Sequence, residues 1–503
     1  MKTRNLYAAI ASENAKRQDC VALEADDGAQ YRFADLDAWT ARYANALRGF
    51  GLNPGDRVAA QIEKSPHALF LYLGCLRAGL AYVPLNTAYT RGELEYFFED
   101  AKPRLIVGQE DSEPLLQDLA RRAGQAAVVT LSEDGRGGFA ETAAAGQARF
   151  ETAVLAADAL AAIIYTSGTT GRPKGAMVSH GNLVSNASAL ISVWQFTERD
   201  TLLHALPIFH VHGLFVANHC ALLCGAKLLW HRKFDAAIVT RDLPRATVFM
   251  GVPTYYTRLL ADPHFAPMQA RNMRLFISGS APLLPDTFSQ FEARTGQHIL
   301  ERYGMSEAGM IASNPLTGER RPGSVGFPLP GVQVRIADPE DRPLPVGAVG
   351  MIEVKGPNVF RGYWNKPDQT RDEFTADGWF RTGDVGCFDG DGYLAIVGRA
   401  RDLIITGGYN VYPKEIELAL DRLPGVAESA VVGVPHPDFG EAVIAIVVPS
   451  GRSDLDEAQL RAALKSELAN YKIPKRIHLV RELPRNAMGK VQKSLLRERY
   501  RTP

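Results

Sequence analysis

The sequence predicts an α/β fold: a large N-terminal domain of parallel-rich sheets with helices plus a β-rich subdomain, and a small mobile C-terminal α+β domain. Three observations carry this. Short apolar runs alternate with segments of helical periodicity through the first part of the chain, a pattern that implies right-handed crossovers and parallel strands. After Pro322 the texture changes to short strand-like runs broken by Gly and Pro. The polar segment 398–402 then separates two strand-like runs, and an independent α/β pattern follows it to the end, which places domain boundaries at 1–400 and 401–503.

The elements follow in order. Phe33, Leu36, Trp39, Tyr43 and Leu47 recur at helical spacing and stop at Gly49 and Gly51. Residues 57–62 read as a buried strand, and Ser65-Pro66 has the chemistry of an N-cap with Pro at the first helical position, opening a helix that ends near Gly79. A strand at 82–85, a helix around 93–98 and a strand at 104–108 continue the series. The Gly/Ala-rich stretch 135–147 is the loosest part. Further strands are expected at 163–165, 202–206, 247–252, 274–278 and 299–303, then at 351–355 and 393–397.

Composition narrows the function classes. In 503 residues, 46% hydrophobic and 22% charged, there is apolar material for more than one core. Lys+Arg and Asp+Glu both total 56, so the formal net charge is zero and no basic tail offers a footprint for nucleic acid. An anionic ligand must therefore be held by local groups. The longest apolar stretches are interrupted by Arg77, His219 and Lys227, so no membrane span is expected. The N-terminus lacks the apolar run of a signal peptide, and Glu13 argues against a transit peptide. Five cysteines, sparse and odd in number, fit a cytoplasmic protein. Cys220 and Cys224, four apart in an apolar run, read as helix packing rather than a metal pair.

The string Tyr165-Thr-Ser-Gly-Thr-Thr-Gly-Arg-Pro-Lys-Gly175 follows an apolar strand. Its glycines let backbone N–H groups turn toward phosphate oxygens, and the hydroxyls and Lys174 add donors and charge. It reads as a phosphate-gripping loop, with a flexible surface turn as the other reading. It is not a Walker A loop, since Pro173 stands where that pattern needs Gly.

At this string the chain resembles the adenylate-forming superfamily of acyl-CoA synthetases, adenylation domains and luciferases. Matching strings follow in order: Ser278-Gly-Ser-Ala-Pro-Leu283, Arg302-Tyr-Gly-Met-Ser-Glu307, Thr382-Gly-Asp384, Gly398-Arg-Ala-Arg-Asp402 and Pro484-Arg-Asn-Ala-Met-Gly-Lys490. The resemblance implies ATP, Mg2+ and CoA as co-substrates, and acyl-adenylate formation followed by thiol attack.

Residue by residue, it assigns ATP to Thr166, Ser167, Gly168, Thr169, Thr170, Gly171 and Lys174, with Mg2+ at Glu307 and Thr166. It puts Ser280, Ala281 and Pro282 beside adenine and Tyr303 on its face, and counts Gly304, Met305 and Ser306 among the ATP-binding residues. Asp384 is expected to accept the ribose hydroxyls and Arg399 to reach the ribose or α-phosphate. Lys490 bridges the attacking carboxylate and the α-phosphate. Arg401 is the hinge, and Gly407 and Gly408 line the passage for CoA. Lys490, Glu307 and His210 are the expected catalytic residues.

His210 stands where amino-acid-activating members keep an Asp, which disfavours an amino acid. His210 and His212 alternate on one side of an extended segment, but no third metal ligand is visible. Arg302 replaces the Gly common before the Tyr of that motif. A guanidinium lines a fatty or aryl pocket poorly and suits a second carboxylate, with His210 and Ser278 beside it; pairing with Glu301 or Glu307 is the structural alternative. The strings 301–305, 351–360 and 209–214 look closest to malonyl-CoA synthetases, implying malonate, with methylmalonate next. Val211 and Met310 are expected to shape the acyl pocket. Competing readings are a short-chain or aromatic acyl-CoA ligase, an adenylation module for a separate carrier, and a non-catalytic nucleotide binder. No fused carrier domain is expected after Lys490, and the chain is expected to be a monomer or small homo-oligomer.

Overall fold

A computed structural model describes residues 4–124, 126–166, 173–406, 409–451, 455–486 and 489–501. The chain packs as two units, Met1–Gln333 with Val354–Phe380, and Val334–Glu353 with Arg381–Pro503.

The first unit carries two sheets. In one, the strands run in the order Ala127–Thr130, Leu105–Gly108, Arg57–Gln61, Ala81–Pro84, Leu160–Thr166 and Lys174–Ser179. All neighbours are parallel except the last pair. The helices between them begin and end where their caps dictate. The helix Pro66–Ala78 starts with the Ser65 hydroxyl accepting from the Ala68 N–H at 3.1 Å and ends at Gly79, whose φ of 76° is open to glycine at little cost. It crosses the helix Phe33–Gly49 so closely that a Cβ on Gly74 would lie 2.8 Å from Tyr43 Cβ.

The second sheet has a parallel centre: Val21–Ala25, Lys227–Trp230, Thr201–His204, Val248–Gly251, Leu275–Ser278 and Ile299–Met305. Gln30–Arg32 pairs antiparallel at one edge, and Gly309–Ser313 and Ser324–Pro328 continue antiparallel at the other side. Edge-to-face contacts among Tyr256, Phe276 and Phe291 fill the layer beneath it. Parallel strands put their C-terminal ends on one edge, where connecting loops build ligand sites. Here that edge carries Ser278 and the residues from Arg302 to Glu307.

The second unit contains the strands Gln333–Ala337, Gly350–Lys355, Phe380–Phe388 and Leu394–Arg399, in that order. It also has a sheet ordered Tyr409–Val411, Ile404–Thr406, Gly440–Pro449 and Val426–His436, with Arg476–Leu479 parallel to Gly440–Pro449. The long antiparallel pair alternates its side chains between two cores. Val431, Val443 and Ala445 face Ile416 and Leu460, while Val432, Ile444 and Ile446 face Leu483 and Leu496.

Two local expectations need correction. The stretch 135–147 contains the helix Gly138–Ala145, held because Phe139 is fully buried against the Tyr43 ring. Small residues lacking a visible apolar stripe hid it. The segment around His210 is not extended: the chain turns at 207–210 and enters a helix, Val211 having φ −52° and ψ −36°. The turn is tight, since a Cβ on Gly213 would lie 2.1 Å from the Pro207 carbonyl oxygen. His210 and His212 therefore do not alternate along a strand face. Cys220 and Cys224 lie in the helix Asn218–Cys224 as free thiols, in keeping with packing. Among the described residues no helix is long and apolar enough to cross a membrane.

Candidate functional site

In the first unit, Thr166 and Lys174 face each other across the last antiparallel pair, at the mouth of the phosphate-loop candidate. Ser167, Gly168, Thr169, Thr170 and Gly171 lie outside the described residues. The Thr166 hydroxyl donates to Glu307 Oε1 at 3.3 Å, and the Tyr363 hydroxyl donates to the same oxygen at 3.1 Å. Glu307 is buried in the turn between the strands Ile299–Met305 and Gly309–Ser313. That turn is tight because Gly304 and Gly309 approach: a Cβ on Gly304 would sit 2.3 Å from the Gly309 carbonyl oxygen. Lys174 Nζ pairs with Glu373 Oε1 at 3.1 Å and lies 4.7 Å from the centre of the Tyr363 ring.

A carboxylate and a hydroxyl side by side are hard oxygen donors. Among the described residues no group of three His, Cys, Asp or Glu gathers as a metal cage. The donor set thus suits Mg2+, which keeps few protein ligands and completes its shell with phosphate and water. Glu307 and Thr166 would hold it, and it would neutralise charge on the phosphates.

Tyr303 is buried, Gly304, Met305 and Ser306 are half-buried beside Glu307, and of the segment after Ser278, Ser280 and Ala281 are half-buried and Pro282 exposed. Arg302 is 4% exposed, and its Nε and Nη2 have no hydrogen-bond partner among the described residues. Its guanidinium lies against Gly279, where a Cβ would come within 2.3 Å of Cζ. Burial pushes it down to about 9, so it is still a cation at neutral pH. Among the described residues neither Glu301 nor Glu307 forms an ion pair with Arg302; Glu301 Oε1 accepts from the Gly323 N–H, and Glu307 Oε1 from Thr166 and Tyr363. Ser278 is buried with its hydroxyl likewise without a partner.

His212 joins this group, and sequence reasoning gave it no role. Its Nδ1 is 3.2 Å from the Ser280 hydroxyl and its Nε2 is buried without a partner among the described residues. Burial, then the charge of Arg302, holds His212 well below the usual histidine range, so it is neutral. The contact also accounts for Ser280, a residue with φ +73°. His210 is half-buried, its Nδ1 accepting from the His212 N–H at 3.4 Å. An orphaned guanidinium edge, an orphaned imidazole nitrogen and an orphaned hydroxyl at one sheet edge leave hydrogen bonds for an anion to make.

Val211 lines a small cavity of about 20 Å³ with Phe215, Ser306, Glu307 and Gly309, room for roughly one water. Met310 is buried where a Cβ on Gly304 would meet its Cε at 2.4 Å, and Asn186 clamps its backbone, donating to the Met310 carbonyl at 2.8 Å and accepting from its N–H at 3.0 Å.

In the second unit, Arg399 Nε pairs with Asp384 Oδ1 at 2.8 Å. Arg401 is exposed, and Gly407 and Gly408 lie outside the described residues. Lys490 follows Gly489 (φ +73°) in a turn where its N–H donates to Asn486 Oδ1 at 3.0 Å and Arg485 Nη1 donates to the Gly489 carbonyl at 2.6 Å. Burial, with Arg399 and Arg401 outweighing Asp384 and Asp402, brings Lys490 down to about 8.

Comparison with known proteins accords with this geometry. The AMP-binding enzyme model matches residues 10–364, and the AMP-binding enzyme C-terminal domain model matches residues 415–490. A malonate–CoA ligase of Arabidopsis thaliana is 35% identical, covering 98% of this chain and 88% of its own length. A sulfoacetate–CoA ligase of Cupriavidus necator is 37% identical over 94% of this chain and 93% of its own. The ATP-bound crystal structure of MatB from Rhodopseudomonas palustris superposes with a TM-score of 0.97 at 52% identity, over 99% of both chains.

Proposed function

The chain belongs to the AMP-binding enzyme family and is an AMP-forming acid–thiol ligase, and from that premise we propose that its acid is malonate, with methylmalonate tolerated. The observation that carries this reading is Arg302: a buried cation whose Nε and Nη2 have no partner among the described residues, at the strand end beside Ser278 and His212. A fatty or aryl tail leaves that charge uncompensated in the interior, whereas a second carboxylate satisfies it.

The reaction then runs in two steps. A malonate oxygen attacks the α-phosphorus of ATP, forming the mixed anhydride and expelling diphosphate. The CoA thiol, giving up its proton, attacks the acyl carbon and expels AMP. Arg302 with Ser278 and neutral His212 orients the spectator carboxylate, so that the other carboxylate faces the nucleotide; His210 borders it. Lys174 supplies charge to the phosphates, Asp384 accepts ribose hydroxyls, and Lys490 donates to the oxygens whose charge grows during anhydride formation. For the second step Lys490 must withdraw, with Arg401 as pivot and Gly407 and Gly408 admitting the thiol arm. Val211 and Met310 limit substituents on the α-carbon. Free, unpaired cysteines support a cytoplasmic setting.

The test is CoA thioester formation across malonate, methylmalonate, succinate, sulfoacetate, acetate and benzoate. Malonate should exceed acetate and benzoate in kcat/KM by at least roughly 10²-fold, the value of one satisfied buried charge. Sulfoacetate in first place would move the reading to a sulfonate, which the same guanidinium accepts; acetate or benzoate in first place would end it.

The pH dependence has a definite sign. Lys490 is charged below about 8 and loses its charge as pH rises through that value. ATP–diphosphate exchange should therefore hold near neutrality and fall above about pH 8. Lys490→Arg, which keeps its charge, should move the falling limb upward even if it lowers the plateau. A wild-type rate still level beyond pH 9.5 would detach the step from that charge.

A further inference from the structure

Lys64 belongs to none of the motifs above, yet it is among the most thoroughly enclosed cations of the first unit, 5% exposed. It precedes the N-cap Ser65 and reaches across to the second sheet. Its Nζ lies 2.8 Å from His204 Nδ1, 2.7 Å from the His204 carbonyl oxygen and 4.4 Å from the centre of the Trp230 ring. A lysine has three N–H donors; two meet acceptors on His204, and the ammonium also lies over the Trp230 ring. No carboxylate pairs with it among the described residues, so packing alone would be met at lower cost by a methionine. Burial pushes its pKa well below the ordinary value, and either protonation state keeps N–H donors for both His204 acceptors.

The consequence for His204 is a fixed tautomer. Its Nε2 is 3.0 Å from the Gly213 carbonyl oxygen, which can only accept, so Nε2 carries the proton and Nδ1 accepts from Lys64. Gly213 is the residue after His212 and the point of closest approach in the turn that enters the helix. Hydrogen bonds thus link Lys64 through His204 to the Gly213 carbonyl, one residue after His212; His212 in turn meets the Ser280 hydroxyl, and Ser280 is the chain neighbour of Gly279, against which Arg302 lies.

We propose that Lys64 is a positioning residue for the acid end of the site, acting through His204 to set where His212 and its partners meet the spectator carboxylate of the substrate. The inference rests on the proposed diacid reading. It concerns specificity: Lys64 touches no substrate.

Lys64→Met, which keeps length and removes the donors, should raise KM for malonate about tenfold or more, as expected for a lost charge-assisted hydrogen bond, with KM for ATP within about twofold. In 15N-histidine spectra, His204 should stay in the Nε2–H form set by the Gly213 carbonyl in both proteins, while its Nδ1 resonance shifts in the variant, where that acceptor has lost its Lys64 donor. His204→Leu should reproduce the malonate defect, and His204→Gln, whose amide can donate to Gly213 and accept from Lys64, should recover most of it. That pair decides the matter if Lys64→Met does not fold. Equal malonate KM values in wild type, Lys64→Met and His204→Leu, or equal defects toward ATP and malonate, would overturn the inference. A wild type that activates no diacid would instead overturn the reading beneath it, so the two failures are separable.

Discussion

Replacing Lys490 by alanine is expected to slow acyl-adenylate formation by roughly 10²–10³-fold, the scale of about 3–4 kcal/mol from a fixed charge placed where negative charge develops. The same variant, supplied with preformed malonyl-adenylate, should make malonyl-CoA within a few-fold of the wild-type rate. This split follows from the role proposed for Lys490. An ammonium that bridges nucleophile and α-phosphate matters for making the anhydride and has no partner in thiol attack on the acyl carbon. ATP–diphosphate exchange reads the first step and single-turnover thioester formation from adenylate reads the second. Equal losses in both would point to general damage; a first-step loss under about tenfold would remove Lys490 from the transition state. Its turn gives the variant a fair trial, because Asn486 and Arg485 hold the loop through Lys490's own N–H and Gly489's carbonyl rather than through the lysine side chain.

Arg302→Met should lower kcat/KM for malonate by roughly 10²–10³-fold while KM for ATP stays within about threefold, since a buried carboxylate left without its cation costs about 3–5 kcal/mol. Acetate and propionate should gain in the same variant, because a spare buried charge no longer opposes an apolar tail. The ratio of malonate to propionate, measured by AMP release, is the decisive quantity: it should approach or cross unity. Arg302→Gly tests the same point with more room, and a preserved malonate preference in both variants would assign Arg302 to the scaffold. The packing against Gly279 makes the methionine exchange the milder of the two.

Much of this was legible from local sequence. The Ser65–Pro66 start and Gly79 stop of one helix, and the apolar strands before the motifs, rest on short-range chemistry and stand where expected. Arg302, Glu307 and Lys490 could be named because their strings are distinctive. What stayed hidden depends on residues distant in sequence. Nothing near Tyr363 announces that its hydroxyl meets Glu307, nor near Glu373 that it holds Lys174. His212 looked like half of an alternating pair until the close turn at Gly213 put it at the start of a helix. Lys64 and His204, 140 positions apart, carry no mutual signal in the chain. The helix Gly138–Ala145 was hidden because its small residues show no marked apolar stripe, and buried Phe139, with Ala140 and Ala143, seats it.

The backbone at Ser280 has a bearing on how this chain has been shaped. A glycine there would sit at ease in a left-handed bend, yet the position carries a Cβ that must endure crowding against the backbone carbonyl. That discomfort survives only where something else outweighs it, and the visible candidate is an imidazole given a single orientation. Relaxing the bend with a glycine would relieve that strain and leave the His212 Nδ1 without the Ser280 hydroxyl.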